Sequence, residues 1–84
     1  MNAEQEVLST LDEALSLQGR SAKFTRETQL LGAVPELDSM AVITVVTSLE
    51  ERFDITVEDD ELDAAVFETV GSLVRFVESK LEEA

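Results

Sequence analysis

Apolar residues recur at three- and four-residue intervals in three stretches of the chain. Over residues 3–17, Val7, Leu8, Leu11, Ala14 and Leu15 line one side while Glu4, Glu6, Asp12 and Glu13 lie elsewhere. This pattern predicts an amphipathic helix, with Gly19 marking its end. The run Met40 to Phe53 is locally ambiguous, because Val42, Ile43, Thr44, Val45, Val46 and Thr47 are β-branched and favour strands. As a strand it has no clean apolar face; as a helix, Val42, Val46, Leu49 and Phe53 fall within about 60° of one another. Periodicity therefore predicts a helix over 39–53, with Asp38 or Ser39 accepting from the free N–H groups of its first turn. A last helix is expected over 69–82, capped by Thr69 and striped by Val70, Leu73, Val74, Val77 and Leu81.

The connections are less regular. Residues 18–38 make a long first loop, and a structureless segment of that length is unusual in so small a domain. Phe24, Leu30, Leu31, Val34 and Leu37 are therefore expected to anchor it, with a short helical turn within it. After Phe53 an extended piece, 54–57, precedes an acidic stretch in which Leu62, Ala64, Ala65 and Val66 are interleaved. Acids at its front predict a short third helix over 59–66. The chain thus reads as one all-α domain, 1–84: a four-helix bundle with a long first loop and a short third helix.

Charge narrows what such a domain can do. Nineteen Asp and Glu stand against 6 Lys and Arg, a formal charge of -13. Nucleic acid and anionic membrane surfaces should repel it, while basic protein surfaces attract it. A 44% hydrophobic content argues against disorder. The acidic start MNAEQEVLSTLDE is unlike an export signal, and no run has the length of a membrane span. A cytoplasmic monomer is expected.

The absence of cysteine and histidine removes disulfides, thiolate chemistry and the usual neutral-pH proton shuttle. The acidic cluster fails the calcium-loop template: counted from Asp59, the required glycine is Ala64 and the closing glutamate is Val70. Carboxylate pairs such as Asp59 and Asp60 have no partner group to tune them for acid–base work. Ser39 is different, because the N–H groups and dipole at a helix start favour a phosphate there. A phosphodiester on that hydroxyl would need no basic side chain to hold it.

Several residues together carry a resemblance. Leu31-Gly32, Asp38-Ser39-Met40, the apolar helix ending Leu49-Glu50-Glu51-Arg52-Phe53, then Ile55, Val57, Asp59 and Asp60, and the closing apolar helix resemble the acyl carrier protein family. The resemblance implies that Ser39 bears 4′-phosphopantetheine, whose thiol carries acyl groups as thioesters, and that the protein is a carrier and not an enzyme. It implies a phosphopantetheinyl transferase as partner, with Asp38 serving as cap and transferase contact. It also implies an acyl-loading ligase or transferase with a basic docking patch, meeting Met40, Ala41, Thr44, Thr47, Glu50 and Glu51. Val46, Leu49, Phe53, Leu62 and Val66 would shelter the acyl chain. Met40 replaces the usual leucine, and Ala41, Thr44 and Thr47 stand where fatty-acid carriers often show acidic or larger apolar residues. A specialised stand-alone carrier is implied. Two other readings stay open: an aminoacyl or peptidyl carrier with the same arm, and an unmodified acidic helical adaptor.

Overall fold

The computed structural model describes residues 3–83. Three α-helices, α1 (Ala3–Leu15), α2 (Ser39–Phe53) and α3 (Val70–Glu83), are joined by loops with one 3-10 turn each, Arg20–Lys23 and Asp59–Glu61. Among the described residues there is no strand, only a single antiparallel bridge between Gln29 and Thr69. The all-α reading stands, and the periodic segments became the helices.

Helix α1 lies against both α2 and α3, whereas the backbones of α2 and α3 hardly approach one another. The core draws Val7 and Leu11 from α1, Val45, Val46, Leu49 and Phe53 from α2, and Val70, Leu73, Val74 and Val77 from α3. On α2 the buried stripe is Val45, Val46, Leu49 and Phe53, and Val42, on the same face one turn nearer the helix start, is half-buried.

Both early helices end in the same device. Ser16 takes a left-handed φ of 54° after α1, and Leu17 N–H reaches back to the Asp12 carbonyl at 3.0 Å. Asp54, also at φ 54°, follows α2, and Ile55 N–H reaches the Glu50 carbonyl at 3.1 Å. Each reversal drives the next apolar residue, Leu17 or Ile55, into the core. The chain therefore leaves α1 two residues before the expected end, and Gly19, at φ 90°, instead precedes the first 3-10 turn.

The long first loop is tied down as the anchors predict, with one exception. Leu30, Val34 and Leu37 are buried and Phe24 is half-buried, but Leu31 is 43% exposed. Leu31 opens a turn closed by Ala33 and Val34 N–H on the Leu30 carbonyl, and the turn carries its side chain outward. The loop runs against the entry to α3: Leu30 and Leu31 N–H bond the carbonyls of Glu68 and Phe67, and Val70 and Gly71 N–H bond those of Thr28 and Arg26. Asp12 holds the other end, accepting from Gly19 N–H, Ser21 N–H and Ser21 Oγ.

The short third helix does not form over 59–66. One 3-10 turn at Asp59–Glu61 is followed by separate turns closed by Val66 N–H on Asp63 and Phe67 N–H on Ala64. Three effects stop the helix. The segment is too short to offset nucleation, its acids repel one another, and Asp63 Oδ1 takes the Val66 amide at 3.2 Å and starts a new turn.

Candidate functional site

Helix α2 begins as a capped end. Asp38 has extended backbone, its carboxylate accepts from Ala41 N–H at 2.8 Å, and its carbonyl accepts from Val42 N–H at 3.0 Å. Asp38 is thus the cap residue, which leaves Ser39 as the first helical residue with its side chain exposed. Among the described residues, no side chain hydrogen-bonds its hydroxyl. The lead-in is fixed by Leu37 and Val34 in the core and by an ion pair between Arg20 and Glu36. The Arg20 guanidinium holds the Glu36 carboxyl below its ordinary pKa.

From Ser39 an exposed stripe runs down α2: Met40 (72% exposed), Ile43 (60%), Thr44, Thr47 and Glu51. Leu31 stands exposed on the first loop. Two residues expected on this surface lie elsewhere. Ala41 is half-buried against the core, and Glu50 turns toward the loop beyond α2, its carboxylate accepting from Val57 N–H at 2.8 Å. Ile43 escaped the sequence reading, because a β-branched aliphatic residue beside Val42 and Val45 carries no local sign of exposure.

The five residues expected to shelter a chain fall into two groups. Val46, Leu49 and Phe53 are buried in the core, while Leu62 and Val66 are half-buried and pack against it from the 3-10 turn and the loop after it. Phe67, also buried, was missed; it falls between the expected helices 59–66 and 69–82 and so belongs to the stripe of neither. Glu61 binds Lys80 of α3 at 2.8 Å and accepts from Glu58 N–H, and these contacts, the lysine first, hold its carboxyl below its ordinary pKa. Arg52 reaches back to Glu6 and Glu13 of α1 at 3.3 and 3.1 Å. Its charge is used inside the fold.

An exposed serine hydroxyl at the first position of a long helix, behind an aspartate cap, can take a phosphodiester without steric cost and with favourable helix electrostatics. A polar cradle beyond that is not needed. Among the described residues, no helix is long and apolar enough to cross a membrane, and no group of three acidic side chains is placed to hold a metal ion.

Comparison with known proteins agrees with this geometry. A family model described as the phosphopantetheine attachment site matches residues 36–77, from the lead-in to Ser39 through most of α3. An acyl carrier protein of Prochlorococcus marinus is 36% identical over 90% of this chain and 89% of its own length. One from Beutenbergia cavernae is 30% identical over 90% and 92%. One from an Exiguobacterium species is 48% identical, and there the match spans about half of each protein. The solution NMR structure of a holo acyl carrier protein from Nitrosomonas europaea superposes with a TM-score of 0.90 at 50% identity, covering 98% of this chain and 99% of that one. With the capped helix, the exposed serine and these relatives in agreement, the chain belongs to the acyl carrier protein family, non-catalytic carriers whose prosthetic group is 4′-phosphopantetheine.

Proposed function

We propose that Ser39 is the attachment point and that this protein carries acyl groups as thioesters on the arm it bears. The observation that supports this is the exposed Ser39 hydroxyl directly behind the Asp38 cap. A transferase would join Ser39 Oγ to the β-phosphorus of coenzyme A; the hydroxyl proton is lost and adenosine 3′,5′-bisphosphate leaves. The arm then supplies the thiol that this cysteine-free chain lacks. Asp38 orders the first turn of α2, and the dipole of that helix favours the phosphodiester at its mouth.

Partners dock along the exposed stripe. Met40 and Ile43 offer apolar contact beside the arm, with Leu31 on the adjoining loop, while Asp38 and Glu51 add negative charge. The complementary surface is an apolar hollow rimmed by Lys and Arg, on the transferase and on the ligase or acyltransferase that loads the cargo. Such contacts are fast and salt-sensitive, which suits a carrier visiting several enzymes in turn.

The test is cargo analysis of protein isolated from the organism that makes it, by mass spectrometry of the Ser39 peptide. A fatty or related acyl thioester on the arm is expected. An aminoacyl or peptidyl thioester would move the protein to the aminoacyl carriers, and an unmodified Ser39 with a fully functional Ser39→Ala variant would make it an adaptor.

A further inference from the structure

Three large apolar side chains stand exposed among the described residues, Leu31, Met40 and Ile43, and Met40 is the most exposed of them at 72%. Met40 follows Ser39 directly in the first turn of α2, and Ile43 lies three residues on, on the same side of the helix. The chain contains no cysteine, and its methionines are Met1 and Met40. The Met40 thioether is therefore the one oxidisable sulfur among the described residues. It stands on the surface that an enzyme acting on Ser39 must cover.

We propose that Met40 is a redox-modification site: a peroxide converts its thioether to the sulfoxide, and this reversibly slows attachment of the arm at Ser39. The inference rests on the carrier reading and adds its regulation. Met40 Sγ attacks one oxygen of hydrogen peroxide; the O–O bond breaks and an S–O bond forms. Sulfur gives up two electrons, and the proton on the transferred oxygen passes to the departing hydroxide, which leaves as water. The fold does not depend on the side chain that changes. Helix α2 is held by Val45, Val46, Leu49 and Phe53 in the core, and its start by the Asp38 carboxylate on Ala41 N–H. Docking does depend on it. The sulfoxide oxygen is a hydrated acceptor, and a partner that covers it with an apolar hollow strips that water and offers no donor in return. Leucine, the usual residue at this place in the family, has no such chemistry.

The test uses the unmodified protein, because an attached arm brings a thiol that peroxide also oxidises. Parent and Met40→Leu are treated with hydrogen peroxide, quenched with catalase and mapped by mass spectrometry. Arm attachment is then followed with coenzyme A, magnesium and a broad-specificity phosphopantetheinyl transferase. One oxygen on the Met40 peptide is expected, with an unchanged melting temperature and a fall of about tenfold in kcat/KM for attachment. Methionine sulfoxide reductases of both epimer specificities should restore the rate. Met40→Leu, whatever its rate before treatment, should keep that rate afterwards, although it retains Met1. An unreactive Met40, an oxidised parent that loads as fast as the reduced one, an equal loss in Met40→Leu, or a loss that the reductases do not reverse would each overturn the proposal. So would a lowered melting temperature, since the loss would then come from the fold. Failure of the reduced parent to take the arm would overturn the carrier reading, and this inference with it; loading that peroxide leaves unchanged would overturn the inference alone.

Discussion

Asp38 and Ser39 are neighbours with separable roles. The Asp38 carboxylate satisfies an amide of the α2 start, so Asp38→Ala should cost about 1 kcal/mol in thermal or urea unfolding. Ser39 is exposed, and Ser39→Ala should leave stability within about 0.5 kcal/mol while removing the proposed attachment point. Asp12 makes a different kind of link. The Ser21 hydroxyl first, then the amides of Gly19 and Ser21, hold its carboxyl below the ordinary value of 3.8. On acidification the unfolded chain binds that proton before the folded one does. The stabilisation is therefore whole above the ordinary value and is lost as pH falls through the folded one. The melting-temperature gap between the parent protein and Asp12→Asn should hold at neutral pH and shrink only as pH falls through 3.8 and below. Asp38 was legible in the sequence because a cap acts within three residues. Asp12 and Glu50 were not, since their partners lie seven or nine positions away across a chain reversal.

At the scale of elements, periodicity located the three helices because each buries a stripe in the common core. It failed where no stripe is buried, over 59–66, and at the helix ends, where left-handed residues set the stop. Ser16 and Asp54 occupy conformations that glycine adopts more readily. Ser16→Gly should therefore raise the unfolding free energy by about 0.5–1 kcal/mol, or at the least not lower it. The first loop behaves as part of the core. Leu30 is fully buried, and Leu30→Ala should cost about 2–5 kcal/mol, as much as a helical core position. Where the loop crosses α3, a side chain at Gly71 would come within 3.0 Å of the Arg26 carbonyl, which also accepts the Gly71 amide. Gly71→Ala should accordingly lower the melting temperature, by strain amounting to about 1–3 kcal/mol.

For the whole molecule, electrostatics sets both stability and traffic. Four of the six basic residues, Arg20, Arg26, Arg52 and Lys80, are committed to internal ion pairs, which leaves the acidic excess largely on the surface. Repulsion within a chain of formal charge -13 should be relieved by salt, so the melting temperature should rise with ionic strength. Affinity for loading enzymes should fall over the same range. A lowered melting point, or salt-independent binding, would contradict this view of the surface. The central claim concerns Ser39, and its most direct test is intact mass with peptide mapping after incubation with coenzyme A, magnesium and a broad-specificity phosphopantetheinyl transferase. The expected result is a gain of one phosphopantetheine on the Ser39 peptide, absent in Ser39→Ala; a gain at another residue, or none even with a transferase from the native host, would contradict it.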